Sequence, residues 1–560
     1  MMRIRQILPI IILYFIGLLF LSSMASAQEL SSLARINGNF QLDAQLYRPD
    51  SLIGAPKVPE KILMNTFTNL LYSQGNFTAG IRFESYLNPL LGYDPRHQGT
   101  GLSYRFITYQ AGDFEVTAGN FYEQFGSGMI FRAYEDWNLG IDNSLDGVRV
   151  RFRPANGIAI KGVYGHQRYF WELSPGIVRG LDAELNINDL INSLSQSGTR
   201  ILLGGSAVSK YQKDELISPQ SGLRYDLPLN VAAFAGRMNI TSDRLNFAGE
   251  YAYKVNDPSS VNGFIYKPGH SLLITASYFR QGLSLQLSAK HTDNMSFKSR
   301  RTEMGNALDI NFLPPLTKQH SYALIARYPY ATQSNGEVAY QGQLIYTIKR
   351  NTKLGGRYGT SITMSYNLVN SLNRTAINDT TPIGAKGTLG YNAKLFDSGN
   401  EKYFSEFNIE ISRRINKDLK VILQYINLFY DIGVIQGHIG DPDVKAGIVV
   451  ADIQYKLSNN KSLRFELQNL STAQDLGDWF SGLAEYTIAP RWSFSIADQW
   501  NYGNTDKKLH YYNFAISYSH KSSRIAISWG RQNEGIVCVG GVCRYVPANN
   551  GLMLTLSSSF

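Results

Sequence analysis

The densest run of side chains able to do chemistry lies between Gly119 and Arg153, reading GNFYEQFGSGMIFRAYEDWNLGIDNSLDGVRVRFR. Glu123, Glu135, Asp136, Asp142 and Asp146 stand among Arg132, Arg149, Arg151 and Arg153. Gly119, Gly126, Gly128, Gly140 and Gly147 permit tight backbone paths between them. Carboxylates and guanidiniums interleaved in this way suit a loop folded into a pore, where they form a constriction that sorts solutes by charge and size. They also suit a structural ion-pair network that anchors the loop and closes the pore. The expected site is a lumenal charge network of Glu123, Arg132, Glu135, Asp136, Asp142, Asp146, Arg149 and Arg151.

Other chemistries find less support. The segment from Asp142 to Gly147 matches the first half of a calcium loop, but its twelfth position is Arg153, where a bidentate Glu is needed. No metal is assigned. The eight histidines, His97, His166, His270, His291, His320, His438, His510 and His520, are dispersed, with no H-E-x-x-H and no Gly-x-Ser-x-Gly elbow. The chain is therefore read as a non-enzyme, with no catalytic residue and no cofactor. Cys538 and Cys543, the only cysteines, flank Gly540-Gly541. A Gly-Gly turn sets them opposite each other in a hairpin, and an exported location is oxidising, so a disulfide is expected.

The elements that must position these residues are strands. Ile36, Gly38, Phe40, Leu42, Ala44 and Leu46 alternate with Asn37, Asn39, Gln41, Asp43 and Gln45. One face is apolar and the other is too hydrophilic for a sandwich core, which fits lipid outside and water inside. Leu283, Leu285 and Leu287 alternate with Ser284, Gln286 and Ser288 in the same way, as do Leu463, Phe465 and Leu467 with Arg464, Glu466 and Gln468. Short Gly, Asn and Asp turns, such as Gln74-Gly75-Asn76 and Asn459-Asn460-Lys461, take turns with long connections at about 48–62, 88–101, 123–146, 294–335, 369–402 and 534–549. This predicts about 24 strands (range 20–26), with short periplasmic turns and long extracellular loops. Ile187, Leu190, Ile191 and Leu194 recur at helical spacing and predict a helix in place of one turn. Ser321 to Ala331 is strand-like within a long connection, and reads either as a lumenal segment or as part of another hairpin.

The N-terminus supplies the compartment. Arg3 and Arg5, an apolar block from Ile7 to Leu21, and Ala25-Ser26-Ala27 form a signal peptide over residues 1–27, leaving 28–560 as a single barrel domain without a plug domain or passenger. Net charge is +10, or +8 once Arg3 and Arg5 are removed. Lys and Arg are scattered, without the basic runs of a nucleic-acid binder, so no nucleic-acid partner is expected. Thirty-five Tyr and twenty-eight Phe suit aromatic girdles at two membrane interfaces.

The final stretch GLMLTLSSSF, with Leu552, Leu554, Leu556 and Phe560 on alternate positions, resembles the last strand of a bacterial outer-membrane β-barrel, although Ser558 stands where that pattern has an aromatic residue. The resemblance implies recognition by the barrel-assembly machinery through the Phe560 strand. GNFYEQFGSG, LGIDNSLDGVRVR and GRQNEGIVCVGGVCRYVPANNGL together resemble an uncharacterised family of outer-membrane barrels defined only as a domain of unknown function. That resemblance implies a barrel and no activity. The expected class is thus an all-β, large antiparallel transmembrane barrel in the outer membrane, with its lipids as partners. Two functions fit: a porin-like channel for small polar or anionic solutes, and a loop-plugged barrel serving a secretion or surface-assembly complex. Lumen continuity discriminates between them. A soluble β-sandwich adhesin would instead bury the Phe40/Leu42 faces in a core.

Overall fold

The computed structural model describes residues 34–213, 215–218 and 224–560; the signal-peptide expectation for residues 1–27 lies outside them. Twenty-four antiparallel strands form one sheet that closes on itself. No helix among the described residues is long and apolar enough to cross a membrane. Crossing is by strands. Alternation decides which way each side chain faces: Leu287, Val449 and Leu467 stand about half exposed on the outside, whereas Asp452, Glu406 and Gln468 are buried inside. An exposed apolar belt around an enclosed polar interior is the arrangement of a barrel in lipid. The sandwich alternative fails because, among the described residues, no second sheet covers this belt.

The barrel closes where the sequence pattern places the closure. The strand Asn549–Ser559 pairs on one side with Ser523–Gln532 and on the other with Ala34–Tyr47, in a register that sets Leu556 opposite Leu42 and Ser558 opposite Phe40. Phe560 completes the seam: Gly38 N–H donates to Phe560 O at 2.9 Å, and Phe560 N–H donates to Gly38 O at 3.0 Å. No edge is left for lipid to desolvate, which would cost several kcal/mol for each unpaired backbone group, of order.

One end carries mostly short turns and the other most of the long connections, including 48–61, 122–144, 294–335 and 373–397. The long-loop end is the extracellular side in barrels of this class. At the short-turn end, the predicted helix appears as an α-turn Ile187–Leu190 followed by a 3-10 turn Asn192–Leu194, with Asn188 tying it to Ile201 N–H and Thr199 O. Cys538 and Cys543 face each other in the hairpin Gly535–Val539/Val542–Val546 and form a disulfide. The segment Ser321 to Ala331 is not a hairpin. It lies inside the barrel, with a single 3-10 turn at Ile325–Arg327.

Gly38 tests the seam. A Cβ there would meet the Phe560 ring at 2.5 Å and Asn69 O at 2.8 Å, whereas at Gly447 it would meet nothing. Gly38→Val is expected to destabilise closure by about 1–3 kcal/mol and to deplete the compact, heat-modifiable band on semi-native gels. Gly447→Val should leave that band unchanged.

Candidate functional site

The candidate site is the interior of the long-loop half, because two connections fold into it. The inward positions of the wall strands are apolar there: Val163, Val178, Val208, Val231 and Ala233 on one side, and Ile426, Ile448, Val450 and Leu470 on the other. Onto the first wall pack Phe125, Met129, Ile130 and Phe131 of the 122–144 loop with Met295, Phe297 and Ile310 of the 294–335 loop. Onto the second pack Leu316, Leu324, Ile325 and Tyr328 from the same 294–335 loop. One chain segment thus crosses the lumen between two apolar half-cores, and burial of each large side chain stabilises this path by roughly 1.5–3 kcal/mol.

Polar groups fix the path. The two loops bridge each other through Arg132 N–H to Ile310 O (2.8 Å) and Phe312 N–H to Gly128 O (2.9 Å). Asn311 Nδ2 donates to both Met129 O and Met295 O. Three fully buried wall lysines then hold the crossing segment by its backbone. Lys210 Nζ donates to Lys298 O and Asp257 (both 2.8 Å), and Lys254 Nζ donates to Ser296 O (2.6 Å). Lys290 Nζ donates to Pro314 O and Thr332 Oγ1 (both 2.6 Å) and forms an ion pair with Glu337 at 2.8 Å. On the far wall, His320 meets Glu406 at 2.9 Å and Leu324 N–H donates to Gln468 Oε1 at 2.9 Å.

The predicted charge residues separate into two groups and three outliers. Glu135 and Asp142 belong to an upper network in which Arg82 pairs with both, and with Glu84 at 2.8 Å, while Arg168 pairs with Glu84 and Asp142 at 2.6 Å each. Glu123, Arg149 and Arg151 belong to a lower one: Arg151 reaches Glu123 at 2.7 Å, Arg149 reaches Glu115 at 2.6 Å, and Lys161 lies 3.4 Å from Glu123. Arg132 makes no ion pair among the described residues; its guanidinium lies over the rings of Tyr134 (4.1 Å) and Phe312 (4.2 Å). Asp136 accepts from Leu139 N–H. Asp146 corrects the expected network: Leu145 takes the inward position in the apolar core, so the two-residue period turns Asp146 outward, where it meets Arg105 at 3.1 Å.

Arg82, Glu84, Arg168 and the three lysines were missed because they sit on wall strands outside the Gly119–Arg153 stretch, with most of their partners tens of residues away. A signal for the plug itself was present. The stretch Val444 to Val450 places Val444, Ala446, Ile448 and Val450 on the face that alternation turns inward, and a wholly apolar inward face calls for an apolar cover inside the lumen. The incomplete calcium loop holds no place for a cation, since Arg82 and Arg168 occupy the Asp142 carboxylate. His270, His291 and Asp293 cluster near the long-loop end; Tyr391 Oη donates to Asp293 Oδ1 (2.6 Å), Lys267 Nζ lies 3.1 Å from Asp293 Oδ2, and Phe396 N–H donates to His291 Nδ1, while His291 Nε2 is buried without a partner among the described residues.

A family model described as a family of unknown function, DUF6029, matches residues 8–560. No curated protein matches the chain. Among solved structures, similar folds include the siderophore receptor PirA of Pseudomonas aeruginosa, at 10% identity and TM-score 0.40, with 94% of this chain and 80% of that chain covered. The P pilus usher PapC translocation pore aligns at 12% identity and TM-score 0.38, over 93% of this chain and 99% of that one. OpdQ of Pseudomonas aeruginosa aligns at 9% identity and TM-score 0.33, over 94% and 97%.

Two tests follow from the interior. Lys290→Met leaves Glu337 buried without its cation and should destabilise the crossing segment by about 3–5 kcal/mol, read as faster amide exchange across 314–332; Lys290→Met/Glu337→Leu should recover part of the loss. Burial pushes the His97 imidazole below its ordinary value, and its contact with Asp94 O opposes this only in part. The neutral ring is thus a stabilising feature above about pH 6.5, lost as pH falls through the lower folded value because the opened loop binds the proton first. Protection factors across 88–98, with the intrinsic slowing of amide exchange at lower pH divided out, should fall from about pH 7.5 to about pH 5.5 in the wild type, and this fall should disappear in His97→Gln.

Proposed function

We propose a function for this chain, which belongs to the DUF6029 family: an outer-membrane barrel closed at rest by its own loops, presenting its extracellular loops to a secretion or surface-assembly partner. The observation that carries this reading is the passage of 294–335 across the lumen, anchored by Lys210, Lys254 and Lys290 on one wall and by Glu406 and Gln468 on the other. Twenty-four strands spaced about 4.8 Å apart and tilted about 40° enclose a bore roughly 45 Å across between backbones. Wall side chains cannot fill that width. A diffusion pore would leave it to water, whereas here paired apolar surfaces and satisfied lysines occupy the long-loop half. The reading takes 28–560 as one domain.

A second reading retains the porin-like channel for small polar or anionic solutes, conducting only when the crossing segment withdraws. It is favoured by the short-turn half of the lumen. Charged groups there remain partly open to solvent, with the Arg151 side chain 42% and that of Lys161 26% exposed. Such groups would meet a solute once the upper half cleared.

Planar-bilayer recording of the purified full chain separates the two. The plugged reading expects no steady conductance at low voltage, and a steady open state in a variant whose residues 316–330 are replaced by a Gly-Ser linker. Reversal potentials in that variant should show weak anion preference. Steady conductance of the unmodified chain at low voltage would refute closure at rest.

A further inference from the structure

Lys and Arg residues that are scattered along the chain are gathered by closure onto one arc of the short-turn rim. Seven connections there, at 242–244, 281–282, 349–359, 415–418, 459–460, 489–491 and 521–522, join fourteen successive strands from Asn230–Thr241 to Ser523–Gln532. Within two residues of these connections stand fourteen Lys and Arg and only two acids, Asp243 and Asp418. The other four short connections, at 75–76, 112–113, 156–157 and 187–199, carry by the same measure one cation, Arg200, against Asp113, Glu115 and Asp189. The rim is basic on one side only.

These cations are not matched within the chain. Arg464, deeper in the lumen on one of the same strands, meets Asp452 at 2.9 Å, whereas none of the fourteen forms an ion pair among the described residues. Arg414 and Lys420 stand directly opposite each other, on the alternation that carries Glu406 and Gln424 into the lumen, and like charges in register destabilise a sheet. Successive turns lie roughly 12 Å apart around the rim, from strands about 4.8 Å apart tilted about 40°. That is close to the screening length of roughly 10 Å at about 0.1 M salt, so the fields of neighbouring turns add.

Two features identify what the arc meets. Phospholipid encircles a barrel and calls for cations all round it, yet the basic arc is one-sided, and Arg414 and Lys420 face the mouth of the lumen, away from lipid. The connection 349–359 adds an apolar anchor: Leu354, 72% exposed, stands among the exposed Lys349, Arg350, Lys353 and Arg357. Hydrogen bonds hold that loop in shape, from Asn351 N–H to Gly356 O (2.6 Å), Gly356 N–H to Thr352 O (2.8 Å) and Thr360 Oγ1 to Leu354 O (2.9 Å). A fixed apolar side chain ringed by charge has the composition of a protein interface and loses little freedom when a partner arrives, whereas a glycan polyanion would leave Leu354 in water.

We infer that this half of the short-turn rim, centred on 349–359, is a docking surface for an acidic segment of a periplasmic protein, with Leu354 entering an apolar contact and the surrounding cations meeting carboxylates. No residue of the 294–335 connection belongs to this rim, so the inference is separate from closure of the lumen. It places a second partner surface opposite the extracellular loops.

Fluorescence anisotropy of the purified full chain in phosphatidylcholine nanodiscs tests it with labelled peptides of about twenty-five residues, the size of one side of an interface. One is poly-glutamate and the other is poly-glutamate with a Leu-Leu pair at its centre. The leucine peptide should bind more tightly by roughly tenfold, and this gain should vanish in Leu354→Ser. Both peptides should weaken by roughly tenfold or more in Lys349→Glu/Arg350→Glu/Lys353→Glu/Arg357→Glu, with the heat-modifiable band intact. Arg35→Glu/Arg153→Glu/Arg200→Glu, on the other side of the rim, should leave affinity unchanged. Absence of binding, an equal loss in that second variant, or a leucine gain that survives Leu354→Ser would each overturn the assignment. So would displacement of the leucine peptide by soluble peptidoglycan strands, or by short-chain phosphatidylglycerol, at lower concentration than unlabelled peptide requires; the surface would then belong to the cell wall or to lipid headgroups.

Discussion

Backbone hydrogen bonding in a medium without water is the constraint from which the rest of this protein follows. Every N–H and C=O that faces lipid must find a partner within the chain, and a sheet satisfies that demand only by closing. The pairing of Asn549–Ser559 with Ala34–Tyr47, carried to its end by Gly38 and Phe560, is therefore a condition for the other strands to remain in the bilayer. It also fixes, through the two-residue period, which side of every strand meets acyl chains.

Closure with so many strands creates a second demand. A bore this wide cannot be filled by wall side chains, and a loop drawn into it must find partners for its own backbone. The protein answers with two devices at different depths. In the long-loop half the wall is apolar on its inner face, so the 122–144 and 294–335 connections build ordinary hydrophobic cores against it. Where carbonyls of these loops would be buried without donors, Lys210, Lys254 and Lys290 supply them, with Asp257 and Glu337 balancing the charge of two. Isolated buried ammoniums would be prohibitive; those tied to carboxylates and carbonyls instead specify one path for the loop. In the short-turn half the inner face turns polar, and Glu115 and Glu123 pair with Arg149, Arg151 and Lys161 at the edge of water.

The same division orders the charged residues of the Gly119–Arg153 stretch. They do not act as one ring. Glu135 and Asp142 are drawn up to Arg82 and Arg168, Glu123 is drawn down to Arg151, Arg132 is taken by aromatic rings, and Asp146 leaves the interior altogether. A stretch that passes from strand into loop and back distributes its side chains over several environments, and each charge settles where a counter-charge or ring already stands.

Whatever depends on local period and short range was legible in the amino-acid order. Alternation along Ile36 to Leu46 set the two faces, Gly-Asn and Gly-Gly turns set the hairpins and brought Cys538 to Cys543, and the rhythm of short and long connections set a strand number near 24. What fills the interior became readable only in three dimensions: that the strand-like run from Ser321 to Ala331 crosses the lumen, that Lys290 holds Pro314, and that Arg82, 60 residues before Asp142, is among its partners. The reason is physical. Hydrogen bonds between neighbouring strands read out spacing along the chain, whereas contacts across a closed barrel join residues whose proximity arises only when the last strand meets the first.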